Sequence, residues 1–392
     1  MKKHVCIAVL AVAVILTLLP GCASSADKKR GARQQWEKVS AQARVTVARD
    51  LFESGRFDDA FITAQQCLQA DAELAEAHLI SGKCLYVQGR NSQAKSSFTK
   101  AVGIDERLGA AWFWLGEVAM NDRQPAQALE HYGRAVSLEP MNIDYIVSLV
   151  EAYAELGRYG EALVLLEEKR TLMPGSVRLR VTAGDLLQRL GRTREAISMY
   201  NQALLLQPDD MEVAEALGYC YVTEQDYNLA VATFEKIAAQ ATGDRRTTFL
   251  QLLAVCSMNA GNYGKAVAYY DKLSMDQRDN EQVWLQMGQA ALGAGSANRA
   301  AACAGRALAL RPGWEDAIAL QGCAQYLNND YNAAVQTFSR IITTKKLGGF
   351  AWLITGRCYQ QLGQHDLADR AYENANRLSP DSKLSSLLAR NP

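Results

Sequence analysis

The sequence predicts an all-α solenoid built from ten helix–turn–helix repeats of 34 residues between positions 41 and 382. Three observations predict it. Ala60, Ala94, Ala128, Ala162, Ala196 and Ala230 recur every 34 residues, and after one 36-residue step Ala266, Ala300, Ala334 and Ala368 resume the interval. Pro140, Pro174 and Pro208 keep the same period, and Pro312 and Pro380 lie two periods apart. Proline ends a helix and biases its neighbour away from helical angles, so these residues mark repeated junctions between helices. Twelve residues before each alanine stands a small residue, Gly82, Gly116, Gly184, Gly218, Gly288, Gly322 and Gly356 with Ala48 and Ala254, and only Val150 departs.

The first element is an address. Met1-Lys2-Lys3-His4 is a basic start, followed by an uncharged 15-residue run from Val5 to Leu19. Fifteen helical residues span about 22 Å, short of the roughly 30 Å hydrocarbon core, which favours a secretory signal over a membrane-spanning helix. Leu19-Pro20-Gly21-Cys22 then resembles a bacterial lipoprotein signal, with Leu19 at −3, Gly21 at −1 and Pro20 a departure at −2. The resemblance implies cleavage after residue 21 and a diacylglycerol-bearing, palmitoylated Cys22. Ala23 in place of an aspartate resembles outer-membrane sorting, which implies a protein facing the periplasm. Cleavage would leave 40 basic and 42 acidic residues, a net charge of −2. Such a balance excludes the basic excess that holds nucleic acid.

Residues 22–40 read as the lipidated cysteine, a short tether and the start of the first helix. Ala23 to Gly31, with Lys28, Lys29 and Arg30, is expected to be a polar linker spanning about 15–18 Å if flexible. Gln34 to Asp50 is expected to lengthen the first helix, with Trp36 packing on the exposed apolar side of the first repeat.

Within each repeat, the small residue and the alanine are expected to face each other where two antiparallel helices approach closely. An aromatic residue four positions after the alanine (Phe98, Tyr132, Tyr200, Phe234, Tyr270, Phe338 or Tyr372) lies one turn on and fills the wedge beside that contact. Turns such as Gly55-Arg56-Phe57, Gly157-Arg158-Tyr159 and Gly261-Asn262-Tyr263 supply a left-handed cap through glycine. The two-residue insertion falls near Ala241–Arg246, in the loop leaving the sixth repeat. Residues 383–392, with Leu384, Leu387 and Leu388, read as a C-terminal capping helix.

The third repeat, with Trp112, Leu115, Gly116, Ala128, Tyr132 and Pro140, and the last, with Trp352, Gly356, Tyr359, Ala368, Tyr372 and Pro380, resemble the tetratricopeptide repeat. The resemblance implies a right-handed superhelix without separate globular domains. It also implies a concave groove lined by positions 2, 5, 9, 12 and 13 of each first helix. Position 9 reads Arg49, Lys83, Glu117, Glu151, Asp185 and Tyr219 through the sixth repeat, so it is basic, then acidic, then uncharged. Position 5 is largely apolar and includes Phe113, while Tyr86, Tyr219 and Tyr326 add aromatic surface. Arg49, Lys83, Phe113, Glu117, Glu151, Asp185 and Tyr219 are therefore the candidate groove residues for a peptide of mixed charge. The acidic trio Glu117, Glu151 and Asp185 is the feature most expected to attract a basic partner.

Signs of catalysis are missing. His4, His78, His131 and His365 are scattered, and there is no C-x₂-C pair, phosphate loop or G-x-S-x-G elbow. No enzyme activity, cofactor, metal, nucleic acid or small-molecule substrate is expected. Asp58-Asp59 and Asp209-Asp210 fall at turns where capping explains them. Cys84, Cys220, Cys256 and Cys358 share the tenth repeat position and read as small buried hydrophobes. Cys303 and Cys323 lie at similar heights on consecutive helices, where a disulfide is geometrically conceivable.

The expected function is a membrane-anchored scaffold or adaptor that mediates protein–protein interactions in an envelope assembly of pilus, secretion or polysaccharide-export type. The alternatives are an adaptor for cell-wall hydrolases or an envelope protease, and a self-associating structural protein.

Overall fold

A computed structural model of the protein describes residues 25–378. Cys22, the signal and the C-terminal cap lie outside the described residues. Every regular element described is a helix, twenty in all, with no strand. A 13-residue first helix, a three-residue turn, a 14-residue second helix and a four-residue link make one repeat, as in Ala75–Val87 followed by Asn91–Ile104 and then Gly109–Asn121. The protein divides into two compact units, residues 1–182 and 183–392. In the first unit, the first helices of successive repeats (Ser25–Glu53, Ala75–Val87 and Gly109–Asn121) pack side by side as well as against their own second helices. In the second unit Glu281–Gly293, Glu315–Leu327 and Gly348–Gln361 do the same. Within each unit these three first helices adjoin along one face.

All ten periodic alanines are buried, nine at 0% and Ala368 at 3% exposure. What the small residue faces differs from the sequence expectation. A methyl placed on Gly82 would lie 2.5 Å from the Phe98 ring, one on Gly116 2.4 Å from Tyr132, and one on Gly218 2.3 Å from Phe234. The same holds for Gly184 against Tyr200, Gly322 against Phe338 and Gly356 against Tyr372, each at 2.6 Å. The glycine thus makes room for the ring sixteen residues on rather than for the alanine. Gly288 shows the exception, because Ala304 stands in the ring position of that repeat. There the space is filled by Leu320 of the next first helix, whose Cδ2 would be 2.5 Å from an added methyl.

The turn inside each hairpin needs one residue with positive φ. Glycine takes it at Gly55, Gly89, Gly157, Gly191, Gly261, Gly295 and Gly363, with φ between 69° and 78°. Arg123, Gln225 and Asn329 take it at the three remaining turns, with φ of 56°, 63° and 63°. The angle is set by the two helices it joins, so it survives even where a residue with a Cβ pays about 1–2 kcal/mol for it. Asp210 caps the next helix by accepting from the backbone N–H of Glu212 and Val213, each at 3.1 Å. Asp59 is held by Arg56 at 2.6 Å, while Asp58 accepts from Gln88 of the following repeat at 3.0 Å, so only part of that pair acts locally.

Three elements depart from the regular pattern. The two-residue insertion lengthens a helix instead of a loop. Gly243–Asn259 has 17 residues, and the link before it shrinks to Ala241 and Thr242. Gly243 turns the backbone directly into that helix with φ of 56°, and Asp244 in the first turn complements the helix dipole. The second helix of the ninth repeat, Tyr331–Phe338, stops after eight residues. The first helix begins at Ser25 and runs 29 residues, so positions 25–31, expected as a flexible linker, are helical. Trp36 does not pack: it is 69% exposed. It lies five residues before buried Ala41, about 140° around the helix, which turns it away from the face shared by Ala41, Val45 and Ala48.

Candidate functional site

In the first unit the groove positions form a series of paired groups. Arg49 is ion-paired with Glu76 of the next first helix, and Arg178 with Asp144 of the preceding one. Lys83 is half-buried, with its ammonium 5.6 Å from the centroid of Phe52 and 5.6 Å from that of Trp114. Burial pulls its pKa down, Glu53 partly restores it, and nearby Arg49 lowers it further. Tyr86 meets Trp114 edge-on at 5.3 Å, and Phe113 stacks on Tyr145 at 4.8 Å. Position 5 otherwise lies too deep to form a floor, since Leu79 and Val147 are 5% and 8% exposed. Aromatic rings supply the apolar surface of this face.

The acids have a role that charge patterning alone does not reveal. Glu117 Oε1 accepts from the hydroxyl of buried Tyr132 at 2.8 Å. In the second unit Asp185 Oδ1 accepts from Tyr200 at 2.6 Å, and Gln188 shares that hydroxyl at 3.1 Å. Where position 9 is Lys83, Tyr219 or Cys323, the ring fifteen residues on is Phe98, Phe234 or Phe338, with no hydroxyl to satisfy. Two of the trio are therefore acceptors for buried tyrosines rather than bare repelling charges. Glu151 is exposed, and its repeat carries Leu166 in the ring position. Glu117 and Glu151 belong to the first unit and Asp185 to the second. The signal was present in the sequence as an acid–tyrosine spacing of fifteen residues, which periodicity analysis of each helix separately does not test.

In the second unit Tyr219 is 41% exposed and lies edge-on to Phe234 at 5.5 Å. Arg245, brought forward by the lengthened helix, pairs with Glu215 at 2.8 Å and covers Phe249 at 5.7 Å. A pocket of about 520 Å³ at the link before the ninth repeat is lined by Arg311, Trp314, Asp316 and Lys346. Lys346 pairs there with Asp316 at 2.8 Å and Arg311 lies over Trp314 at 5.0 Å, while Glu315, which also lines it, has a buried Oε2 without a hydrogen-bond partner. Cys303 and Cys323 are free thiols, so no disulfide joins them. Cys84, Cys220, Cys256 and Cys358 are buried, as their repeat position implies. Among the described residues no group of three or more His, Cys, Asp or Glu is placed to hold a metal, and no helix is long and apolar enough to cross a membrane.

The buried tyrosines make stability alkaline-sensitive. Burial pushes the Tyr270 hydroxyl up to about 12, and burial followed by the Glu139 charge does the same for Tyr145. Tyr132 and Tyr200 are raised further by burial and then by the carboxylates that accept from them. A raised folded-state pKa contributes stability that is complete below about pH 10, the ordinary tyrosine value, and is lost as pH climbs toward the folded value. Each such group costs up to about 1.4 kcal/mol per pH unit in that window. Urea midpoints should be level from pH 7 to 9 and fall from pH 10 to 12, less steeply in Tyr270→Phe. A midpoint unchanged at pH 11 contradicts this.

Sequence comparison places these hairpins among known repeats. Tetratricopeptide repeat models match residues 109–142 and 153–220, and the model of the Cilia and flagella-associated protein 70 middle TPR-like domain matches 249–379. The protein is 24% identical over 249 residues to Superkiller complex protein 3 of Mus musculus, covering 61% of its own length and 16% of that relative. It is 24% identical over 253 residues to the Peroxisomal targeting signal receptor of Komagataella phaffii, covering 61% and 39%. With Anaphase-promoting complex subunit 3 of Schizosaccharomyces pombe it shares 25% over 169 residues, covering 43% and 25%. It thus spans less than two-fifths of the length of each of these relatives. Among solved structures it is similar to YrrB, described as a TPR protein with an unusual peptide-binding site, at 24% identity and a TM-score of 0.39, over 48% of this protein and 96% of that one. It is also similar to the APC/C hetero-tetramer Cut9–Hcn1, at 13% identity and a TM-score of 0.36, over 93% and 86%. Residues 109–142, 153–220 and 249–379 thus match tetratricopeptide repeat models, and the hairpins beside these segments have the same helix–turn–helix build.

Proposed function

We propose that the protein is a lipid-anchored scaffold of a bacterial cell envelope, held by an acylated Cys22 at the periplasmic face of the outer membrane. It carries partner proteins on its first-helix faces within an assembly of pilus, secretion or polysaccharide-export type. The observation that carries the binding role is the face of the first unit. Phe113, Tyr86 and Trp114 are only partly covered there, beside charged groups at every repeat, a composition suited to an extended or helical peptide. The names of several relatives, subunits of complexes and a targeting signal receptor, agree with it. The anchor rests on the run Val5–Leu19 and on Gly21-Cys22.

The test is photo-crosslinking in cells from positions 151 and 219, both exposed, with adducts identified by mass spectrometry. Labelled palmitate incorporation is followed in parallel in wild type and Cys22→Ser. One dominant envelope adduct, weakened by Glu151→Lys, and label lost with Cys22 are expected. Diffuse adducts refute the binding role, and unlabelled wild type refutes the anchor. A cell-wall hydrolase or protease as the adduct would select the adaptor alternative. Self-association has one specific observation in its favour: Trp36, Val39 and Val47 are 69%, 59% and 51% exposed along one side of the first helix. A mass that rises with concentration in light scattering, and is restored to monomer by Trp36→Glu, would establish it.

A further inference from the structure

Three cations occupy groove positions on the first-helix face of the first unit: Arg49, Lys83 and Arg178. Two of them are neutralised across one repeat, Arg49 by Glu76 and Arg178 by Asp144. Among the described residues Lys83 pairs with no carboxylate. It is gripped by Phe52 and Trp114, at 5.6 Å each. Ring faces attract a cation, but they offer no lone pair along which an N–H can donate, and an ammonium has three N–H groups. Burial is what depresses its pKa; the Glu53 charge offsets that only in part and forms no ion pair with it, so the half-buried ammonium still lacks a charge-assisted hydrogen bond among the described residues. Tyr86 stands edge-on to Trp114 on the adjoining surface.

We propose that Lys83 anchors a carboxylate of a bound peptide, with Tyr86 and Trp114 taking the side chain next to it. The inference rests on the peptide-binding reading of the groove and adds the chemistry of the partner at the second repeat. The rings hold the ammonium in place, so little side-chain freedom is lost on binding, and the carboxylate gains a charge-assisted hydrogen bond in a partly dry site. The acidic groups Glu117 and Glu151 lie in the next two repeats, so a peptide bound here is acidic at the Lys83 end and neutral or basic beyond it. The carboxylate comes from an Asp or Glu side group or from the peptide's own C-terminus, and both sources present the same two oxygens.

The test uses the full-length protein and a pool of random dodecapeptides, one half with free C-terminal acids and the other half amidated. Retained peptides should be rich in Asp or Glu in both halves if the source is a side group, or come from the free-acid half alone if it is a C-terminus. Lys83→Met keeps an unbranched stem between the rings and removes the charge. Individual retained peptides should bind it at least about tenfold more weakly. Binding that is indifferent to Lys83→Met but weakened by Glu151→Gln would overturn the Lys83 anchor while leaving the groove reading intact. A pool from which wild type retains nothing would overturn both. A measurement on wild type guards against misfolding of the variant. In protein labelled with ¹³C at lysine Cε, the Lys83 pKa should rise when a retained peptide saturates the site, and a value that stays depressed would overturn the proposal.

Discussion

Phe234→Ala should lower stability by about 3–5 kcal/mol, the usual cost of emptying a buried phenylalanine site. The ring is fully buried. It closes over Gly218 within its own hairpin, lies 5.5 Å from Tyr219 and 5.8 Å from Phe249 of the following repeat, and belongs to an apolar cluster that runs from Ala230 to Ala324. Removing it therefore damages one hairpin and one interface between repeats. In an array each repeat is stabilised mainly by its neighbours, so the loss should be local. Hydrogen exchange should accelerate most in Met211–Thr223, Tyr227–Gln240 and Gly243–Asn259. Leu205→Ala, at a residue 81% exposed, serves as the control and should change stability by less than about 0.5 kcal/mol. A Phe234→Ala midpoint equal to that of the control would contradict the packing described.

Much of this architecture is readable from spacing alone. Ten alanines, 34 residues apart except for one 36-residue step, mark the buried line of each repeat's second helix, and all ten are buried. The small residue twelve positions earlier is also legible as a close approach, but its partner is not. Periodicity reports which side of a helix a residue occupies and says nothing about how far a neighbouring ring reaches across the gap. That is why spacing pairs Gly116 with Ala128 while the structure sets it against Tyr132. The same limit hides the acid–tyrosine bonds. Glu117 and Tyr132 lie on different helices, and only the inter-helix distance turns an apparent surface charge into an acceptor at 2.8 Å. Lys83 is legible as a cation in the groove, whereas its enclosure by Phe52 and Trp114 requires three successive repeats to be placed at once. The insertion at 241–246 reads as a longer loop because loops usually absorb extra residues. Gly243 instead lets the backbone enter the next helix almost at once, and the extra residues become part of a helical turn that carries Arg245 to Glu215.

Gly218→Ala should destabilise the protein by about 1–3 kcal/mol, although alanine is the better helix former. A methyl there would stand 2.3 Å from Phe234 Cε1, and the ring cannot retreat because its other neighbours are close-packed. Gly133→Ala is the opposite case. It lies within the helix Pro125–Leu138, an added methyl meets nothing within 4 Å, and the change should stabilise by about 0.5–1 kcal/mol. Identical substitutions in two helices of the same fold should therefore have opposite signs, which propensity alone forbids. The fourth repeat suggests the remedy, since Val150 stands in the glycine place and the smaller Leu166 in the ring place, both buried. Ala254 and Tyr270 are both buried in the seventh repeat, so a hairpin can be spaced for a methyl, and the penalty at Gly218 is that of imposing such spacing on a hairpin closed for none. Gly218→Ala combined with Phe234→Leu should then cost less than the sum of the two single changes, because the shorter side group vacates the space the methyl needs. Strict additivity of the pair, measured by urea denaturation, would show that the glycine is not there for the ring.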